Sequence, residues 1–273
     1  MNRRSYLAGV SAAGLLAGCT DALVLGDAGA SPRDPPERPA DLTPESVAPY
    51  VADYEEVRAH SRHASEGATD VSVDAVATFD HAANGDHYAT AQHAGTVSRE
   101  DDGDRTVGEL YSDPVPYLVA SDRTLRLSVE RRRVEAAERE RTGDETTSPP
   151  LGVRLLNVTD EPREIAVTVV RRSGPDDGNR SGGEDDGGDA EGADDGTVLS
   201  TTVDVGPETA IELLGITGVR GGYRVVAEME DNGVTGQGRI EVGLPSADRE
   251  PNVDVVVDDV GVSTRHLPSF DGV

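Results

Sequence analysis

The stretch Val71-Ser72-Val73-Asp74-Ala75-Val76-Ala77-Thr78-Phe79 alternates apolar side chains with polar or small ones. A period of two is that of a half-buried strand, whose side chains point to opposite faces in turn. Five residues on stands Asn84-Gly85. This pair readily adopts positive φ at both centres of a type I′ turn, so the stretch is read as the first arm of a hairpin. The return strand is expected from His87 to Val97. Upstream, Thr43-Pro44-Glu45 places an N-cap, a first-turn proline and an acid at the positive end of a helix. Val47, Tyr50, Val51, Tyr54 and Val57 follow at helical spacing. One amphipathic helix is expected to about Ser65, stopping near Gly67. Downstream, Tyr117–Ala120 and Thr124–Val134 read as further strands.

A charged segment over 135–150 separates this region, 43–134, from a second, 151–260. The second opens Val153-Arg154-Leu155-Leu156-Asn157-Val158, then alternates at Ile165, Val167 and Val169. Strands are expected again at Val198–Val205, Ala210–Ile216, Tyr223–Met229, Gly238–Val242 and Val253–Val257. Turn signals lie between them at Gly206-Pro207, Gly221-Gly222 and Asn232-Gly233. Between 173 and 196 lie nine acidic residues, eight glycines and one arginine. Such a segment cannot bury apolar surface and is expected to be a disordered loop. The fold class is therefore mainly β: one amphipathic helix, then antiparallel regions ending in a sandwich, with 261–273 as a tail.

The formal net charge is −27, from 52 acidic and 25 basic residues, and every basic residue is arginine. That balance excludes nucleic acid as a partner, since binding phosphates needs clustered cations. Arg131-Arg132-Arg133 is hemmed in by Glu130, Glu135, Glu138 and Glu140. Aromatics are 3% and tryptophan is absent, too little to line a ligand pocket. An acid-coated surface repels itself over about 10 Å at 0.1 M salt and over about 3 Å at 1 M. The composition resembles that of salt-adapted proteins of halophilic archaea.

The N-terminus carries two further resemblances. Arg3-Arg4-Ser5-Tyr6-Leu7 resembles the twin-arginine export signal, with Asn2 where that family more often has Ser or Thr and with no Lys following. Leu16-Ala17-Gly18-Cys19 resembles the lipobox of prokaryotic lipoproteins. The apolar run between them is too short to span a bilayer, which needs about 20 residues. The resemblance implies a signal peptide over 1–18, lipid on Cys19, a proline-stiffened tether over 19–42 (Pro32, Pro35, Pro36, Pro39) and a place on the outer face of the cell membrane. Cys19 is the sole cysteine, so the fold has no disulfide. In the second region, Gly221-Gly222-Tyr223-Arg224-Val225 resembles the tyrosine corner of immunoglobulin-like sandwiches, with Val225 where antibody domains have Cys.

Candidate chemistry is sparse. His60 and His63 share a helix side, with Glu56 and Glu66 as the nearest further ligands. In the expected hairpin, His81 points to one face and His87 and His93 to the other, the last two about 20 Å apart along the strand. A metal-binding protein or metal-dependent enzyme built on these histidines is the alternative reading. Asp176, Asp177 and Asn179 lack the spacing of a calcium loop, and neither they nor Asp101-Asp102-Gly103-Asp104 is expected to hold more than diffuse cations. No serine elbow, P-loop, dinucleotide fingerprint or His-Glu-x-x-His is present. Asn157-Val158-Thr159 and Asn179-Arg180-Ser181 are sequons, and so glycan acceptors on an exported chain. The expectation is a non-catalytic, surface-anchored binding or structural module with no cofactor. Its partners would be the membrane, through the lipid, and another envelope protein or a surface polymer. If the charge reading is right, the melting temperature by circular dichroism rises by several degrees from about 0.1 M to about 1 M salt. A flat or falling curve refutes it.

Overall fold

A computed structural model describes residues 29–134, 146–172, 196–231, 234–246 and 248–270. The helix α1 spans Pro44–Ser65, and its start is the expected one: Thr43 accepts from the Ser46 amide while the Ser46 hydroxyl accepts from the Thr43 amide. The hairpin follows as β1, Asp70–Ala83, and β2, Asp86–Asp101. Asn84 and Gly85 take φ of 53° and 90°, both in the left-handed region that this turn requires. The register pairs Ala83 with Asp86 and His81 with Tyr88.

Three strands complete the first sheet, sheet A: β3, Asp104–Tyr111, β4, Val115–Val119, and β5, Thr124–Arg126. The acidic run 101–104 is a second tight turn. Asp102 and Gly103 sit at φ of 51° and 88°, and β3 folds back on β2. The expected single strand over Thr124–Val134 is two. The chain leaves sheet A at Leu127, which is fully buried and donates its amide to Pro116 O, and continues as β6, Ser128–Arg133, in the second sheet.

That second sheet, sheet B, orders β14-β13-β7-β10-β6, with β7 over Thr146–Asn157, β10 over Thr209–Val219, β13 over Val253–Asp258 and β14 over Gly261–His266. Sheet C orders β12-β11-β8-β9, with β8 over Arg163–Arg172, β9 over Thr197–Val205, β11 over Gly221–Asp231 and β12 over Val234–Leu244. Two pairs in sheet B, β6 with β10 and β13 with β7, are parallel, unlike the expected all-antiparallel pattern. The segment expected as a C-terminal tail carries β14, and Leu267 after it is buried.

Alternation along each strand builds the layers. On β7, Leu151, Val153 and Leu155 face sheet C and pack with Val167, Val169, Val225 and Val255. Leu156, one residue out of step, faces the other way and packs with Tyr88 and Leu118 of sheet A. The far face of sheet A, through Ala89, Ala91, Tyr117 and Val119, takes Val47, Tyr50 and Val51 of α1. The order is helix, sheet A, sheet B, sheet C. Each fully buried aliphatic side chain contributes roughly 1.5–3 kcal/mol, so a core of small residues suffices by number. At one edge β12 and β14 nearly touch. A Cβ on Gly236 would lie 2.9 Å from Val262 Cγ2, and one on Gly238 2.8 Å from Thr264 Cγ2, so only glycine fits there.

Strand β6, at the end of region 43–134, pairs with β10 in sheet B, so the two regions share a sheet. Within the proline-rich segment, the described part from Gly29 is docked and is not a free spacer. Ala30 donates its amide to Ala68 O, the Arg33 amide donates to Ser61 Oγ, and Arg38 Nη1 donates to Ser121 O. Proline removes competing donors and extends the chain, and the arginines between then tie it down along α1.

Candidate functional site

The densest polar chemistry lies between sheets A and B. The β1–β2 register slips between Phe79 and His81. A bulge of this kind sets two residues of one strand against one of its partner and re-aims their side chains. Asp80 and His81 both turn to the side of Tyr88 and Thr90, toward sheet B. There β7 and β13 run in register, with Arg154 beside Asp254. Arg154 grips Asp254 with both arms of its fork, Nε to Oδ1 at 2.7 Å and Nη2 to Oδ2 at 2.8 Å. It also reaches Asp80 Oδ2 and Thr90 Oγ1, each at 2.8 Å. Arg249 Nη1 donates to the other Asp80 oxygen at 3.0 Å, and His81 Nε2 lies 2.8 Å from Asp254 Oδ2. Arg154 is 1% exposed and Asp254 0%. Burial pushes the Asp254 carboxyl up, but the Arg154 charge and the hydrogen bonds from His81 and Arg154 outweigh it and hold it at about 2. For Arg154 burial works downward, and the two carboxylates win, raising its pKa.

A second cluster joins α1 to sheet A. Helical phase puts Glu55 on the buried side of α1, where it meets three strands. It accepts from Tyr117 Oη–H and from Arg126 Nε at 3.1 Å, and its other oxygen lies 2.9 Å from His93 Nδ1. Burial raises the Glu55 carboxyl, while the bonds from His93, Tyr117 and Arg126 more than offset this and bring it down to about 2. The Tyr117 phenol is pushed up by burial and by the neighbouring carboxylate. In both clusters the ionised groups are matched by partners within the body. Neither cluster lines the grooves described, which lie on the outer faces of sheet C and α1. The arrangement ties layers together.

Of the residues singled out in the sequence, Cys19, Arg3, Arg4 and Asn179 lie outside the described residues. The Asn157 sequon is corrected: Asn157 is fully buried, and its Nδ2 donates to Glu161 O, Val205 O and Gly206 O. That nitrogen is the one a glycan would need, so the folded chain has no acceptor there. The histidines are dispersed. His63 bonds Glu66 at 3.1 Å, His81 and His93 belong to different clusters on opposite faces of sheet A, and His87 lies against Phe79. His60 is buried, and its Nδ1 has no partner. Among the described residues no group of three or more His, Cys, Asp or Glu converges as metal ligands. The sequence reading missed Glu55, Asp80, Arg154 and Asp254. A lone charge inside an apolar run, Arg154 in Val153–Leu156 and Asp254 in Val253–Val257, was the available signal.

The chain matches no protein-family model, no curated protein and no solved structure.

Arg154→Met strands two buried carboxylates and is expected to cost about 3–5 kcal/mol in urea unfolding at constant salt. A loss below about 1 kcal/mol would show the junction to be ornamental. The Glu55 pKa is about 2 in the folded chain against 4.5 ordinarily, so its contribution is complete above pH 4.5 and is lost as pH falls toward 2. The stability gap between the natural chain and Glu55→Gln should be on the order of 3 kcal/mol at neutral pH and close over that interval. A gap independent of pH contradicts the assignment.

Proposed function

We propose that this is an exported lipoprotein, anchored by lipid on Cys19 to the outer face of a cell membrane, that acts there as a non-catalytic binding or structural module. The observation that carries the reading is the N-terminal sequence itself. Among the described residues the chain is already pinned to the body at Ala30 and Arg33, ten or so positions after Cys19. The basic start, the short apolar run and the Leu16-Ala17-Gly18-Cys19 end support export and lipidation in that order. The pairing of the buried ions with one another supports a structural role for them. No helix among the described residues is long and apolar enough to cross a membrane.

The sandwich of sheets B and C is read as immunoglobulin-like. Tyr223, at the start of β11, donates its hydroxyl to Val219 O at 2.7 Å, four residues upstream, which is the tyrosine-corner bond. The pairing of β7 with β10 and of β11 with β8 and β12 follows the B–E and C–F–G pairings of that class. The departures flank that β7–β10 pair, where β13 runs parallel to β7 and β6 parallel to β10. The acid-coated, lysine-free composition supports a protein suited to high salt. For a partner, another envelope protein or a surface polymer, sheet edges are the natural contacts. Strand β3 offers one, with Val107 and Tyr111 exposed on it.

Cys19→Ser tests the anchor. In cell fractions the natural chain is expected in the membrane pellet, extracted by detergent and not by salt, and the variant in the soluble fraction. A variant that stays fully with the membrane would refute the lipid reading.

A further inference from the structure

One side of α1 carries a stripe of residues three and four apart: Tyr54, which packs against Tyr117 of sheet A, then Val57, Arg58, Ser61, Arg62 and Ser65. The docked segment crosses this stripe, and Arg33 and Pro35 close the other wall of a groove of about 380 Å³. Three arginines meet there in a chain with twice as many acids as bases. Arg33 pairs with Glu56 at 3.1 Å and Arg62 with Glu66 at 3.0 Å, both at the surface, where such pairs hold weakly. Among the described residues Arg58 makes no ion pair and no hydrogen bond, although it lies in a groove and not out in solvent. Val57, the Tyr54 ring and Pro35 give the lining an apolar part, and Ser61 and Ser65 add two hydroxyls. A guanidinium fork over an apolar floor matches a phosphate carried on a glycerol and acyl stem. The fork binds the phosphate oxygens in pairs, and the floor covers the first carbons.

The position of the groove names the source of that phosphate. The Ala30 amide is bonded to Ala68 O, just past the end of α1, and Arg33 is bonded to Ser61 in the groove itself. The first described residues therefore lie beside the groove, and Cys19 stands ten residues before Gly29. Ten residues reach at most about 35 Å when fully extended. On the lipid-anchor reading, on which this inference rests, the groove is held within that distance of the bilayer. Tethering on so short a chain gives an effective concentration in the millimolar range, so a weak contact is enough to set orientation.

We propose that the α1 groove, through Arg58 with Arg33 and Arg62, seats the phosphate of an anionic phospholipid from the bilayer that holds Cys19, and so fixes how the module stands. With α1 against the headgroups, the layer order turns sheet C to the outside. At molar salt the screening length falls to about 3 Å, so only groups in direct contact keep part of their attraction and distant charges no longer orient the body.

The test uses the full lipidated chain in vesicles. Lipid consumes its sole thiol, so Asp53→Cys on α1 and Ser200→Cys on β9 each give one labelling site at an exposed position. In phosphatidylglycerol vesicles with a headgroup quencher, at molar salt, the label at 53 is expected to be quenched at least severalfold more than the label at 200. Adding Arg58→Glu, or using phosphate-free glycolipid vesicles, should equalise the two. Circular dichroism checks that the variant folds. Equal quenching at the start, or a difference that survives Arg58→Glu, overturns the groove while leaving the anchor standing. A chain that does not partition with the vesicles overturns both.

Discussion

The grip of Arg154 on Asp254 and Asp80 is the constraint on which the layered arrangement depends. Two charges taken from water cost several kcal/mol each, and only good geometry repays that. Here the geometry comes from three separate sources: the parallel register of β7 and β13, the bulge in β1 and the loop that brings in Arg249. A guanidinium needs its carboxylates in fixed directions, so sheet A can dock on sheet B in one register only. An apolar contact of the same area would tolerate sliding. The Glu55 cluster repeats the principle one layer out, where a single carboxylate joins α1 to β2, β4 and β5.

These interior pairs stand apart from the rest of the molecule's electrostatics. The chain carries 52 acids against 25 bases, and the repulsion among those at the surface is screened by salt. Buried pairs are screened far less. The same chain can therefore have a surface that responds to salt and a set of internal ties that does not. Exclusive use of arginine suits the interior part: its planar fork makes two bonds at once and stays ionised when buried. Arg154 and Arg249 each use that property at the junction of sheets A and B.

The layers also give the molecule two ends. At one, α1 is overlaid by the docked segment that leads toward Cys19. At the other, sheet C presents its outer face, with Glu164, Glu228 and Glu230 around a broad open groove. Among the described residues strand β3 pairs only with β2, so its other edge carries no strand there. The helix end and the outer face of sheet C are held in fixed relation, with α1 tied to sheet A by the Glu55 cluster and sheet A tied to sheet B by the Arg154 cluster.

Much of this was legible in the residues. Local rules decided the start of α1, since Thr43-Pro44-Glu45 signals a helix with no help from elsewhere. They decided the β1–β2 hairpin too, since Asn84-Gly85 sets the turn and the turn sets the register. Alternation along Ile165–Val169 and Leu151–Leu155 marked the faces of the sandwich. Asp102-Gly103 carried the same turn signal as Asn84-Gly85 but was masked by the acids around it. What no local pattern held was contact between distant segments. The switch of the chain at Leu127 from sheet A to sheet B depends on Pro116 and on a core filled from both sides. The parallel partnership of β13 with β7 joins residues about a hundred positions apart. Asn157 reads as a glycan site until β9 closes over its amide. Arg154, Asp80, Asp254 and Glu55 look like ordinary surface charges in a chain full of them. Their roles arise only when folding removes water and brings the opposite charge within reach, which is a property of the assembled layers and not of any stretch of sequence.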